Sequence, residues 1–152
     1  MTLSITSTAF AQGQPIPATY SCDGKSVSPP LSWSGAPAGT QSFALIMDDP
    51  DAPLGTFVHW VIYNIPASAG GLPEAFSKDA RLPDGTLQGS NGAGRVGYTG
   101  PCPPGGTHRY FFKLYALDTT LEISGASKDQ LLQAMQGHVL AQGELMGTFT
   151  RK

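Results

Sequence analysis

Apolar and polar positions in this chain alternate mainly with a period of two. Leu3–Thr6 (LSIT) alternates strictly, as a half-buried strand does, and Leu31–Trp33 (LSW) repeats the pattern before a GAPAG turn. Gln41–Met47 (QSFALIM) is apolar on both faces, which predicts a central strand covered from both sides. Thr56–Ile65 (TFVHWVIYNI) is β-branched and aromatic until Pro66 stops it, and predicts the strongest strand. Arg109–Leu117 (RYFFKLYAL) predicts another buried strand. Between Pro66 and Thr107 the chain is glycine-rich and loop-dominated, a length tolerated mainly where loops are functional. A helical period occurs once. Ser127 and Gln130 match a capping box, Leu131, Leu132, Met135 and Val139 share one helical face, and Gly143 is the expected stop. Glu144–Phe149 (ELMGTF) alternates again and should return to the sheet. Many strands without a βαβ rhythm predict a mostly β sandwich or barrel-like domain with a peripheral helix. With no internal repeat or linker, the reading is a single domain over 1–152.

Composition narrows this picture. Of 152 residues 40% are hydrophobic and 13% charged, so the chain can bury a core and is not disordered. A net charge of −2 with no basic stripe argues against nucleic acid. No apolar run is long enough for a membrane span. Ala9-Phe10-Ala11 resembles a signal-peptidase site but lacks the basic and apolar regions before it, so a cytoplasmic protein is expected. Cys22 and Cys102 are then thiols by default, and two cysteines alone make no tetrahedral zinc site.

The candidate chemistry falls in two segments. Met47–Trp60 (MDDPDAPLGTFVHW) carries Asp48, Asp49, Asp51 and His59, and Gly97–Tyr110 (GYTGPCPPGGTHRY) carries Cys102, Pro104, Gly105, Gly106, His108, Arg109 and Tyr110. Strict alternation would place Val58, Trp60 and Ile62 on one face and Phe57, His59, Val61 and Tyr63 on the other. An imidazole in such a strand needs a partner, and the nearby carboxylates are the obvious ones. Three readings follow: imidazoles donating to an anion beside a glycine-rich rim, a facial metal triad, or a cysteine or serine nucleophile served by His59 and Asp49. Singly, each feature has an ordinary explanation. A histidine can be a satisfied core residue, DDPDAP an Asx-turn, PPGG a loop, and His138 a helix residue that is solvated or packed.

Together the segments are more specific. DDPDAP followed by FVHWVIYNIP, then GYTGPCPPGGTHRYFFKLYALD, resembles the phosphatidylethanolamine-binding protein (PEBP) family, and most of all its bacterial and archaeal Raf-kinase-inhibitor-like YbhB/YbcL branch. FAQGQPIPATYSCDGKSVSPPLSWSGAP and LLQAMQGHVLAQGELMGTF extend the likeness over nearly the whole chain. The resemblance implies a PEBP-like β-sandwich with one or two short peripheral helices around a small anion pocket. It implies binding of phosphate, phosphoethanolamine-type head groups or other small anions, without metal, cofactor or catalysis. Carried over, the ligand-binding residues are Asp49, Asp51, His59, Pro104, Gly106, His108 and Tyr110. His59 and His108 would donate to the anion, Asp49 would orient one imidazole, and Asp51 would secure the loop. Backbone N–H groups near Gly105–His108 would complete the shell, and Ala52–Pro53 would be cis. Relatives are also named as kinase or protease inhibitors, so a protein partner is a second expectation, and an exposed sheet edge offers a route to a homodimer. The alternative is a hydrolase or metal-dependent enzyme built on Asp49, His59 and His108. Pairing of Cys22 with Cys102 is left open, and Asp48 has no assigned role.

Overall fold

The computed structural model describes residues 3–151, and among them eight strands and one α-helix. The strands are β1 (Ser4–Thr6), β2 (Leu31–Ser34), β3 (Ser42–Asp49), β4 (Phe57–Pro66), β5 (Gly71–Leu72), β6 (Leu87–Gln88), β7 (Thr107–Leu117) and β8 (Val139–Thr150). The helix α1 spans Lys128–Met135, and a 3₁₀ turn covers Ala18–Tyr20. A five-stranded antiparallel sheet in the order β6-β4-β3-β7-β8 packs against a three-stranded sheet in the order β1-β2-β5. The mostly β sandwich expected from the alternation is the observed fold.

The central strand explains the layering. Phe43, Leu45 and Met47 of β3 enter the core between the sheets, with Trp33, Trp60, Ile62, Phe112 and Leu114. Ala44 and Ile46 point the other way, into a second core with Val61, Tyr63, Leu117, Leu131 and Met135 under α1. Every residue of β3 is buried, as its two-faced apolar pattern requires.

The helix is shorter than its sequence period suggests. Ser127 caps it, with the Gln130 N–H donating to Ser127 Oγ at 3.3 Å and the Ser127 N–H to Gln130 Oε1 at 3.0 Å. It ends at Met135, well before Gly143, because Gly137 takes a φ of +82° that favours glycine, and β8 starts at Val139. Val139 thus belongs to a strand, and His138 lies outside the helix, exposed and 2.8 Å from Asp118.

The cysteines are not thiols. Cys22 and Cys102 form a disulfide across 80 positions of sequence, tying the segment after the 3₁₀ turn to the loop before β7. The cis Ala52–Pro53 bond is also absent, since no peptide among the described residues is cis. The loop is instead held by hydrogen bonds: the Asp51 N–H donates to Asp49 Oδ1 at 2.8 Å and the Gly55 N–H to Ala52 O at 3.1 Å.

Candidate functional site

Asp48 and Asp49 end β3 and Asp51 follows just beyond it, and the three carboxylates go to different places. Asp48 continues the outer face of Ala44 and Ile46. Its Oδ2 receives Lys128 Nζ at 2.7 Å and Lys113 Nζ at 3.3 Å, which clasps the start of α1 to the sheet. Its Oδ1 is buried and without a partner among the described residues. Asp49 continues the inner face of Phe43, Leu45 and Met47. Asp51, beyond the strand, accepts three bonds from Arg109, from its backbone N–H, Nε and Nη2, each at 2.9 Å. Those bonds hold the Asp51 carboxyl down to about 2.

Asp49 and His108 form a buried pair. His108 follows the inward parity of Tyr110, Phe112 and Leu114 along β7, and its Nδ1–H donates to Asp49 Oδ2 at 2.6 Å. His59 arrives by a less regular route. Met47 pairs with Trp60 and Asp48 with Val58, so His59 is an extra, unpaired residue in a β-bulge. The bulge overturns the strict alternation expected for β4. Val58 packs with Val61 and Tyr63 on the outer face, whereas Phe57 and His59 turn inward to the side of Tyr110. The imidazole of His59 packs edge-on to Tyr110 at 5.2 Å and to Phe57 at 4.9 Å between ring centroids.

Thr99 clamps His59 from the glycine-rich segment. The Thr99 N–H donates to His59 O at 3.0 Å, and His59 Nδ1 lies 2.8 Å from Thr99 O. A carbonyl only accepts, so Nδ1 carries the hydrogen. Burial pushes the His59 pKa down, against smaller upward pulls from the Thr99 carbonyl and Asp49. Burial, followed by the neighbouring Asp49 carboxylate, pushes the Tyr110 phenol up, so it remains a neutral O–H donor.

These side chains line one cavity of about 230 Å³, walled by Asp49, Ala52, Pro53, Phe57, His59, Thr99, Gly100, Cys102, Pro103, Pro104, His108 and Tyr110. Five of the seven expected site residues therefore meet there: Asp49, His59, Pro104, His108 and Tyr110. Asp51 and Gly106 do not line it. Asp51 braces the loop through Arg109, and Gly106 takes a φ of +71° in the turn that starts β7. Of the segment Gly105–His108 expected to supply a shell of backbone N–H groups, Gly105, Gly106 and Thr107 lie off the cavity wall and only His108 lines it. Sequence reasoning did not name Ala52, Pro53, Phe57, Thr99, Gly100 or Pro103 as wall residues. All of them fall inside the two candidate segments, which was the available signal, but none has a residue type that marks it singly. A larger, shallower groove of about 520 Å³ between Arg81–Leu87 and Leu121–Ser124 gathers only Arg81 and Glu122 as ionisable groups.

The remaining Nε2 atoms define what the cavity offers. Neither His59 Nε2 nor His108 Nε2 has a protein partner among the described residues, and neither is sealed from solvent. No group of three or more His, Cys, Asp or Glu side chains among the described residues is placed to hold a metal ion. With Cys102 in a disulfide, no thiol stands beside either histidine.

Comparison with known proteins agrees with this architecture. Residues 6–150 match the family model described as phosphatidylethanolamine-binding protein. A UPF0098 protein of Methanothermobacter thermautotrophicus is 55% identical over 144 residues, covering 94% of this chain and 95% of that one. The crystal structure of a PEBP homolog from Chlamydia trachomatis superposes with a TM-score of 0.91 at 44% identity, covering 99% of each chain. That of Escherichia coli YbcL, described as a member of the mammalian PEBP family, gives 0.91 at 34% identity over all of both chains.

Proposed function

We propose, on the premise that the chain belongs to the phosphatidylethanolamine-binding protein family in its bacterial and archaeal branch, that it binds small oxyanions without transforming them. The observation that carries this reading is the pair of imidazoles whose Nδ1 atoms are both engaged, leaving both Nε2 atoms open to one cavity. Protonated His108 presents Nε2–H to the anion while the Asp49 carboxylate balances its charge, and the Tyr110 phenol supplies a neutral donor. The apolar walls of Pro53, Phe57, Pro103 and Pro104 keep the ligand oxygens out of bulk water, which strengthens each hydrogen bond.

Affinity for phosphate or phosphoethanolamine should weaken as pH rises through the histidine range, because a neutral ring with its Nδ1–H committed has no N–H left to give. Titration with phosphoethanolamine, followed on both imidazole ring signals by NMR, tests the reading. Both histidines should shift along one saturating curve, and unmoved rings would refute it.

A further inference from the structure

We infer that the cavity selects oxyanions that carry a hydrogen, such as hydrogen phosphate, over oxyanions that carry none, such as sulfate, because the ligand atom facing His59 must donate. This rests on the oxyanion reading above and adds the proton state of the ligand to it. The geometry supplies the argument. His59 Nδ1 is 2.8 Å from the Thr99 carbonyl oxygen, which fixes the hydrogen on Nδ1. In the neutral ring Nε2 then holds only a lone pair, and this is the His59 atom that opens onto the cavity. Alternative ring placements are blocked, because Phe57 and Tyr110 flank the imidazole and Thr99 bonds both its backbone and its side chain.

The surrounding charges do not supply the missing proton. From β3 Asp49 faces the ring, with Asp48 behind it; from β7 come His108 and the phenol of Tyr110. Burial outweighs the two carboxylates, so the ring stays neutral where an exposed histidine would begin to charge. A sulfate oxygen set against Nε2 brings lone pair to lone pair. It binds only if His59 takes a proton from solvent, forming the imidazolium whose Nε2–H then donates. Hydrogen phosphate has the same charge and nearly the same size and brings its own P–O–H, so no proton is taken up.

Isothermal calorimetry at about pH 7, where a large share of phosphate is already a dianion like sulfate, tests the inference. Phosphate should bind about ten-fold tighter than sulfate, the worth of one hydrogen bond to a well-placed acceptor in a charged complex. Repeating the titrations in buffers of different ionisation heat should show sulfate taking up about one proton more than phosphate. In His59→Gln, whose amide can turn to donate or accept, the preference should fall towards parity. Equal affinities with equal proton uptake in the native protein would overturn the inference and leave the oxyanion reading standing. A preference retained in a folded His59→Gln would place the acceptor elsewhere and overturn it too. Binding of neither ion would remove the oxyanion reading and this inference with it.

Discussion

Replacing Cys22 and Cys102 together by serine should lower stability substantially without dismantling the cavity wall. The bridge joins positions 80 apart, so it removes a large closed loop from the unfolded ensemble. For a loop of that length the chain-entropy relation gives about 4.5 kcal/mol at 25 °C, and native bridges typically deliver about 2–4. The folded state has other ties between the same segments. The Cys22 N–H donates to Pro101 O at 3.0 Å, the Gly100 N–H to Ser26 Oγ at 3.0 Å, and the Tyr98 hydroxyl to Tyr20 O at 2.7 Å. These bonds survive the substitution, so most of the loss appears in the unfolded state. For a domain of this size about 3 kcal/mol corresponds to a melting temperature lower by about 10 °C. Thermal melts by circular dichroism on the oxidised protein, the reduced protein and the double variant should show both altered samples melting together, about that far below the first. Both cysteine residues are exposed, so reductant reaches the bridge. If thiol titration of the denatured native protein confirms the bridge and the variant still melts within about 2 °C of it, the loop-entropy argument is wrong.

Asp48→Ala should cost about 1 kcal/mol, less than a fully buried ion pair, because Lys113 and Lys128 can return to water and the partnerless Oδ1 is removed with its desolvation cost. Hydrogen exchange at Leu131 and Met135 should quicken while phosphate affinity holds, and unchanged exchange would refute the clasp. Asp49→Asn removes the charge partner of His108 Nδ1, and calorimetry should record a phosphate affinity about ten-fold lower. An affinity equal to the native one would mean that Asp49 does not position the ring. Folding stability should fall as pH drops below about 6.5, since the unfolded His59 takes up a proton that the buried ring resists. The sign follows from the lowered folded value: the unfolded chain binds more protons in that window. Urea melts between about pH 5 and 7 should show His59→Gln with a shallower dependence. Asp51 acts at lower pH, its contribution being complete above about 4 and lost as pH falls towards its folded value of about 2.

Two of the long strands, β3 and β7, were legible because their burial is two-sided or alternating. Gln41–Met47 read as the central strand it is and Arg109–Leu117 as a buried strand, and only their ends moved, to Ser42 and Asp49 in the first and back to Thr107 in the second. Less legible were features decided by tertiary contacts. The two-residue strands β5 and β6 pair with β2 and β4 inside the loop-dominated stretch, too short for any period to register. The end of α1 depended on a single glycine conformation, while the apolar pattern ran on through Val139 and misled. The bulge at His59 leaves no compositional mark, since it is a matter of pairing count against β3. Asp49 and His108 were readable as partners by type, but the share of the clasp falling to Asp48 needed Lys113 and Lys128 brought from 65 and 80 positions away. Thr99 could not be found by residue type, because its contribution comes from the backbone.

The extra residue in β4 makes the pocket depend on strand length as much as on residue identity. Deleting one codon between Phe57 and Trp60 would let the ladder close opposite Met47 and Asp48, and the chain on the near side of the deletion would turn over. A histidine at that point would then lie under α1, beside Lys128, with every pocket residue type still present in the gene. Relatives are therefore best compared here by counting back from Trp60, with the count carrying as much information as the letter. An insertion or deletion of a single codon is thus a route by which this sandwich can gain or lose its two-histidine cavity while its two cores stay intact.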